Sequence, residues 1–352
     1  MEVEEFRIHE ISLENSSEVE KVKSFLNSIN LNYEEDVTLT IVVEDYNGNM
    51  VGTGSLGDKV IKCVGVKKGY EEYGIGTKIV SYLLKKAYGL GKETVFIFTK
   101  PQQAEKFEEL GFREVARSGP IVLLETGIKT IKDYQAYLES MKNKEVDSAG
   151  AVVVNCNPFT NGHKHLIEYA SRNSDWLYII VVEEERSSFP FAVRYRLIKE
   201  GTSHLKNITL IKGGNYNVSS ATFPSYFLRD ERAEEIAYYQ AKLDVTIFAT
   251  YTAPTLNIKK RFVGEEPYSP TTAQFNRAMK EVLPQNGIEL IEIKRASAKK
   301  TGIVSASKVR QFIREDNWEA IKEQVPETTY RFLTSEEAKP IIQKIKQQHT
   351  RH

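Results

Sequence analysis

Residues 160–163 (Thr-Asn-Gly-His) combine the residue types of a phosphate-binding turn. They follow the apolar run at residues 151–154 and open a helix-like stretch at residues 163–170. Where a strand, a glycine turn and a helix start follow one another, free backbone N–H groups and the positive end of the helix dipole face an anion. The glycine allows a close approach of the backbone, and the hydroxyl and imidazole add side-chain donors. We therefore predict that this turn acts on a nucleoside triphosphate.

Residues 304–310 (Val-Ser-Ala-Ser-Lys-Val-Arg) form a second candidate anion site. Two hydroxyls and two cations lie at the start of a predicted helix, where Ser305 suits the N-cap position. The two segments are far apart in the sequence, and we predict that they close on one triphosphate from opposite sides. Each segment also fits a plain structural helix cap, which is the alternative interpretation.

Together the two segments resemble the T/H-x-G-H and I-S-S-T-x-x-R motifs of the nucleotidyltransferase superfamily. The resemblance implies that an acceptor anion attacks the α-phosphate, that pyrophosphate leaves, and that catalysis consists of positioning and charge neutralisation. It implies that Thr160 and His163 contact the phosphates and stabilise the transition state, while Gly162 permits close approach. It also implies that Mg²⁺ bridges the triphosphate. The residues that it assigns to the β- and γ-phosphates are Ser305, Ser307 and Arg310.

Longer stretches narrow the resemblance to the citrate lyase ligase family. The matching stretches are residues 155–163, 187–190, 221–227 and 261–267, with a further likeness at residues 60–64. The resemblance implies that acetate attacks ATP to give acetyl-adenylate and pyrophosphate. The acetyl group then passes to the thiol of the dephospho-CoA-derived arm on the acyl carrier subunit of citrate lyase, which activates the lyase and releases AMP. The remaining ATP-binding residues that it implies are Asn155, Asn157, Pro158, Phe159, Gly264 and Glu265.

The N-terminal half carries a likeness of its own, at residues 69–77 (Gly-Tyr-Glu-Glu-Tyr-Gly-Ile-Gly-Thr). This stretch is similar to the Q/R-x-x-G-x-G/A loop of GCN5-related (GNAT) acetyltransferases, and residues 107–112 resemble a later turn of that fold. The likeness implies that loop N–H groups bind the pyrophosphate of a thiol-bearing arm. Glu71 departs from the motif, in which Gln or Arg is usual at this position. A carboxylate near a pyrophosphate is unfavourable. The implied arm-binding residues are Val66, Gly74, Gly76 and Thr77.

The elements that position these residues alternate between strand-like and helix-like segments, with a break at residues 147–150. We predict a GNAT-like domain at residues 1–148 and a nucleotidyltransferase domain at residues 149–352. The first has predicted strands at 38–43, 50–56, 60–66 and 94–98, and predicted helices at 77–88 and 104–110. The second has predicted strands at 151–154, 177–182, 208–211, 245–248 and 289–293, and predicted helices at 163–172, 190–200, 229–241, 271–283 and 305–315.

Strands that are separated by helix-length crossovers indicate a parallel sheet, whose ligands bind beyond the carboxyl ends of the strands. The predicted fold class is therefore α/β, with a GNAT-like α+β domain followed by a Rossmann-like nucleotidyltransferase domain. We expect the second domain to make acetyl-adenylate and the first to receive the thiol arm.

The composition excludes several classes of protein. The chain has 352 residues and 48 basic against 48 acidic side chains, so it lacks the basic excess of a nucleic-acid-binding protein. No apolar run approaches the ~20 residues that span a bilayer, and residues 1–5 do not resemble a signal peptide. Cys63 and Cys156 are isolated, without metal-ligand spacing. We therefore expect a cytoplasmic protein with no nucleic acid, membrane or protein-held metal as partner.

Two other functions stay open on the sequence. One is a small-molecule adenylyltransferase of the phosphopantetheine type, fused to an acetyltransferase-like module. The other is a nucleotide-binding regulator with a degenerate acyl-CoA sensor, which only the Glu71 change favours. His165 suits a supporting or surface position on its helix. Arginines 186, 194 and 196 follow a predicted strand end, and each suits either triphosphate binding or a surface ion pair.

Overall fold

The computed structural model describes residues 6–184, 187–217, 223–265, 270–294, 296–298 and 302–347. The chain forms two compact units: Met1–Tyr134 with Thr222–Thr246, and Gln135–Ala221 with Ile247–His352. In this division residues 222–246 group with the first unit and residues 135–148 with the second, and the predicted domain boundary at residue 148 stays a prediction. The mixed α/β fold class is confirmed by the two sheets described below.

The helices and strands follow one another in chain order. Up to residue 141 they are β1 (Arg7–Glu10), α1 (Ser16–Ser28), β2 (Leu39–Glu44), β3 (Met50–Gly57), β4 (Val60–Val66), α2 (Ile75–Gly89), β5 (Thr94–Thr99), α3 (Pro101–Glu108), β6 (Arg113–Ser118), β7 (Ile121–Gly127) and α4 (Ile131–Met141). After residue 141 they are β8 (Ala149–Val154), α5 (Asn161–Arg172), β9 (Trp176–Val181), α6 (Phe191–Gly201), β10 (Ile208–Lys212), α7 (Ala233–Ile247), α8 (Ala253–Thr255), β11 (Ile258–Gly264), α9 (Pro270–Gln285), β12 (Glu289–Ile293), β13 (Ser297–Ala298), β14 (Gly302–Ile303), α10 (Ala306–Arg314), α11 (Trp318–Gln324), α12 (Glu327–Leu333) and α13 (Lys339–Gln347).

The first unit is built on a seven-stranded sheet with the order β1-β2-β3-β4-β5-β7-β6. All neighbouring pairs are antiparallel except β4 and β5, which pair in parallel. Helix α2 packs across β3, where Gly52 and Gly54 leave room for its side chains. A Cβ at Gly54 would lie 2.4 Å from Ile79, so only glycine allows this close approach.

Residues after 222 pack into the first unit through the Glu34 carboxylate. This carboxylate accepts hydrogen bonds from the N–H groups of Ser225 (2.6 Å) and Tyr226 (3.1 Å). The buried Lys62 ammonium pairs with Glu34 at 2.9 Å and with Asp36 at 2.7 Å. These contacts connect the start of residues 222–246 to the first unit, because a carboxylate of that unit satisfies two of their backbone donors.

The second unit contains a five-stranded, fully parallel sheet with the order β10-β9-β8-β11-β12. This confirms the predicted parallel sheet. The first strand of this sheet in chain order, β8, lies at the centre, and the strand order reverses between β8 and β11. In open parallel sheets, ligands bind at the carboxyl ends of the strands at such a switch point. Residues 155–163 follow β8 at that point.

The predicted strand at residues 245–248 is wrong. Helix α7 runs to Ile247 and continues as a π-helical turn, Phe248–Thr252, and the strand of this region is β11. Val245 and Ile247 are buried although they are helical. Phe248 is also buried and Thr246 is half-buried, and four residues are too few to show a periodicity that separates a strand from a helix, so the β-branched residues misled the prediction. None of the described helices combines the length and apolarity needed to cross a membrane.

Candidate nucleotide site

Thr160 caps α5, and the helix begins at Asn161, two residues before the predicted start at residue 163. The Thr160 N–H donates to His163 Nδ1 (3.1 Å), and the His163 N–H donates to Thr160 Oγ1 (3.4 Å). Because a backbone N–H only donates, Nδ1 is the acceptor, and the neutral imidazole carries its proton on Nε2. The cap therefore fixes both the ring and its tautomer, and makes Nε2–H of His163 the donor.

Phe159 packs against the imidazole ring of His163. Its ring stacks on His163 with a centroid separation of 6.2 Å and an interplanar angle of 15°. The Phe159 side chain is fully buried, and a Cβ at Gly201 would lie 2.4 Å from it. Phe159 was predicted to bind ATP, but the structure does not bring its ring to the surface of the site. It acts on the site through His163.

The segment between β8 and α5 is bonded to the loop that follows β9. Asn157 Oδ1 accepts a hydrogen bond from the Phe189 N–H (2.9 Å), and Asn155 Nδ2 lies 3.2 Å from Ser187 Oγ. Pro158 is buried, whereas Asn155 is exposed and Asn157 is half-buried. Of these three residues, which were predicted to bind ATP, Asn155 is therefore the most exposed to a ligand.

The second predicted segment lies against the first. Ser305 caps α10: its Oγ accepts from the Lys308 N–H (3.3 Å) and lies 3.1 Å from Ser307 Oγ. Arg310 Nη1 donates to the Asn157 carbonyl at 2.5 Å. A Cβ at Gly162 would lie 3.4 Å from the carbonyl oxygen of Val304. The structure therefore brings the two helix N-termini together, as the sequence predicts.

Arg310 is nine-tenths buried, and this burial, followed by the nearby charge of Arg314, lowers the pKa of its guanidinium. The ordinary arginine pKa is so high that the side chain stays cationic at neutral pH. A buried cation beside two helix N-termini adds to the positive potential of the site.

Gly264 and Glu265 lie at the same sheet edge, because β11 pairs in parallel with β8. A Cβ at Gly264 would meet no atom within 4 Å, so this position opens on space. Glu265 is exposed and its N–H donates to the carbonyl of Ile293 (2.9 Å). Residues 221–222 and 266–267 of the family-like stretches lie outside the described residues.

Arg194 is the residue whose role the sequence did not reveal. It is fully buried, and its guanidinium donates to the carbonyls of residues 155 (2.7 Å), 182 (2.8 Å), 184 (3.1 Å) and 189 (3.0 Å). Neither predicted role, triphosphate binding or a surface ion pair, fits this position. Arg194 instead fixes the loops after β8 and β9, and no periodicity in the sequence marks it.

Arg196 and His165 lie on the surface of the second unit. Arg196 forms an exposed ion pair with Glu337 at 2.8 Å, which is the second of its two predicted roles. His165 is exposed on α5. Arg186 lies outside the described residues.

In the first unit, the predicted arm-binding loop runs from β4 to α2. Gly74 adopts φ +66° and precedes α2, while a Cβ at Gly76 would meet only Val66, at 3.8 Å. Thr77 is exposed and Val66 is half-buried. Glu71 Oε2 accepts from the Gly69 N–H at 2.6 Å, and bonds from its own N–H and that of Gly69 lower its pKa. The Glu71 carboxylate therefore already accepts hydrogen bonds from backbone N–H groups that the loop would otherwise offer to a ligand.

Comparisons with known proteins extend over nearly the whole chain. The family model of the citrate lyase ligase C-terminal domain matches residues 149–333. [Citrate [pro-3S]-lyase] ligase of Klebsiella pneumoniae is 37% identical over 89% of this chain and 92% of its own length. The protein of that name from Haemophilus influenzae is 35% identical over 89% of this chain and 94% of its own length. Phosphopantetheine adenylyltransferase of Streptococcus gordonii is 35% identical over 29% of this chain and 64% of its own length.

Two solved structures are similar to parts of the chain. A GNAT-family acetyltransferase from Staphylococcus aureus is 19% identical, covers 36% of this chain and 100% of its own, and has a TM-score of 0.31. Thermotoga maritima TmcAL, solved with alpha-thio ATP, is 14% identical, covers 56% of this chain and 57% of its own, and has a TM-score of 0.37.

Proposed function

The chain belongs to the citrate lyase ligase family, and we propose that it activates citrate lyase by acetylating the prosthetic thiol of the acyl carrier subunit. The reaction takes place in the cytoplasm and uses ATP and acetate. An acetate oxygen bonds to the α-phosphorus as the bond to pyrophosphate breaks, which gives acetyl-adenylate. The thiolate then bonds to the acetyl carbon as the bond to AMP breaks.

The observation that carries this proposal is the direct contact between the two phosphate-binding motifs. Gly162 faces the carbonyl of Val304, and Arg310 bonds to the carbonyl of Asn157. Two helix N-termini and a cation therefore converge at the carboxyl edge of the parallel sheet. Such an arrangement suits a polyanion better than any other ligand class.

The proposed roles follow from this geometry. His163 Nε2–H and the first N–H groups of α5 stabilise charge that develops on the α-phosphate. Ser305, Ser307 and Arg310 bind the β- and γ-phosphates, so that the departing pyrophosphate carries less effective charge. Asn155, Gly264 and Glu265 border the same edge and line the path of the nucleoside and acetate.

Magnesium is expected to bind with the nucleotide rather than with a protein cage. Among the described residues, no group of three or more His, Cys, Asp or Glu side chains is arranged to hold a metal ion. Mg²⁺ commonly keeps several waters and binds through substrate phosphates. It supplies neutralisation of the triphosphate, and the chain's own groups orient that triphosphate.

The first unit is proposed to receive the thiol arm through the loop after β4, with Val66, Gly74, Gly76 and Thr77 facing it. The space above Gly74 and Gly76 supports this assignment, because no atom lies within 3.5 Å of a Cβ at either position. Glu71 already holds the Gly69 N–H, so the arm binds elsewhere on the loop or displaces this carboxylate.

The test uses the full chain with ATP, [¹⁴C]acetate and the thiol form of citrate lyase. We expect label on the acyl carrier subunit, equimolar AMP, and recovered lyase activity, with none of these when ATP or acetate is omitted. A variant with Gly76→Trp should keep acetyl-adenylate formation and lose transfer to the carrier. Full transfer by that variant would remove the proposed role of the loop, and absence of labelling by the wild type would overturn the function.

A phosphopantetheine adenylyltransferase activity is the second candidate, because two curated enzymes of that name match 28–29% of the chain. The same reaction mixture tests it when phosphopantetheine replaces acetate. Formation of dephospho-CoA in place of acetyl transfer would favour this alternative.

A further inference from the structure

We propose that Gln324, at the end of α11, is a positioning residue that holds the two phosphate-binding helix N-termini at the spacing which ATP requires. The inference rests on the proposed function and adds a residue to it. Gln324 does not reach the substrate, because its side chain is fully buried. It acts through Ser305.

Two hydrogen bonds join α11 to the phosphate-binding helices, and the first joint is the hydrogen bond between α11 and α10. Gln324 Oε1 accepts a hydrogen bond from the Ser305 N–H at 3.0 Å. Ser305 is the N-cap of α10, so this bond fixes the backbone from which its hydroxyl reaches the Lys308 N–H and Ser307. Rotation of the Ser305 peptide would move the Ser305 hydroxyl away from the Lys308 N–H and from Ser307.

The second joint is between α11 and α5. Asn161 Nδ2 donates to the carbonyl oxygen of Glu323 at 3.1 Å. Carbonyls in the last turn of a helix have no partner within that helix, so a side chain from outside completes this one. Asn161 is the first residue of α5 and stands between Thr160 and Gly162 in the turn.

Two consecutive residues of α11 therefore bond to two different helix N-termini. A buried amide that served stability alone would be satisfied by any neighbouring polar group. Here both bonds end on the phosphate-binding turns, so movement of one turn relative to the other requires one joint to break. The end of α11 therefore fixes the distance between the N-termini of α5 and α10, which together form the proposed phosphate clamp.

The test compares Gln324→Met, which keeps the size of the side chain but removes the acceptor, with Ile321→Val in the same helix. Ile321 is also fully buried but has an apolar side chain, so its truncation lowers stability without touching either joint. In acetate-dependent exchange of labelled pyrophosphate into ATP, we expect Gln324→Met to raise the KM for ATP about tenfold with a smaller change in kcat. We expect Ile321→Val to lower the Tm and leave the KM for ATP unchanged.

Asn161→Ala provides a second variant for the other joint. It should raise the KM for ATP on its own, and the double variant with Gln324→Met should raise it less than the product of the two, because one open joint already releases the clamp. If Gln324→Met does not fold, an unchanged KM in Asn161→Ala overturns the inference.

The experiment distinguishes a failure of the positioning role from a failure of the proposed function. An active wild type with an unchanged KM in folded Gln324→Met contradicts the positioning role and leaves the proposed function intact. A wild type without exchange contradicts the proposed function itself.

Discussion

The variant Gly162→Ala tests whether glycine at this position is required for the stability of the fold or for the close approach of a phosphate. An added Cβ would meet the carbonyl oxygen of Val304 at 3.4 Å and two further atoms at 3.5 Å, which are ordinary van der Waals distances. Gly162 lies within α5 and is absent from the residues with positive φ, so alanine fits its backbone. Alanine is favoured over glycine in helices by roughly 0.5–1 kcal/mol. The variant should therefore be as stable as the wild type or more stable by up to about 1 kcal/mol.

The same methyl group should impair catalysis. If a phosphate approaches the backbone at Gly162, the methyl occupies part of its path, and we expect exchange of pyrophosphate into ATP to fall about tenfold or more. A tenfold loss corresponds to about 1.4 kcal/mol of transition-state binding. Urea denaturation measures the stability, and the exchange rate at saturating acetate measures the activity.

Gly89→Ala is the matched control, because Gly89 ends α2 in the other unit and a Cβ there would meet nothing within 4 Å. It should leave exchange unchanged. Exchange within twofold of wild type in Gly162→Ala would refute the close approach at this glycine. Loss of the fold in that variant would refute the interpretation that the protein itself has room for a methyl group.

Three further predictions concern burial and charge. Arg194→Leu leaves four backbone carbonyls without their donor, so the free energy of unfolding in urea should fall by about 3 kcal/mol or more, and an unchanged midpoint would contradict this. Burial raises the pKa of Cys63 to about 12 and also raises that of Cys156, so neither thiol should react with a disulfide reagent at neutral pH until guanidinium unfolds the chain; rapid labelling of the native protein would be inconsistent with these positions. The pKa of Glu71 is lowered in the folded state, so its contribution is present above the unfolded pKa and is lost as the pH falls through the folded value. The Tm difference between wild type and Glu71→Gln should therefore be present at neutral pH and vanish on acidification, and a difference that persists in acid would argue against the bond to Gly69.

The sequence predicts those parts of the site that local chemistry determines. The order of strand, turn and helix around Thr160 follows from residue types within a few positions, although α5 begins two residues before its predicted start, and Ser305 caps α10 as predicted. The central strand β8 is marked by its apolar run and by the turn after it. Parallel pairing follows from the helix-length crossovers between strands.

Tertiary contacts account for what the sequence did not predict. Residues 245–248 lie at the end of α7 and the start of its π-helical turn, and so short a segment shows no period that separates a helix from a strand. Arg194 and Gln324 are buried polar side chains that bond to backbone groups of other elements and loops, so no local pattern distinguishes them from surface residues. The packing of residues 222–246 with the first unit depends on Glu34, nearly two hundred positions away. For this reason, point variants in the full chain test the division of labour better than a truncation at residue 148.

Acetate-dependent exchange of labelled pyrophosphate into ATP tests the central claim most directly, with wild type and His163→Ala compared in the same assay. Both reactants and the product pyrophosphate belong to the first half of the reaction, so the carrier subunit is not needed. We predict exchange that requires acetate in the wild type, and a loss of at least a hundredfold, or about 2.7 kcal/mol, in a folded His163→Ala. Exchange that persists undiminished in His163→Ala, or that proceeds in the wild type without acetate, would contradict it.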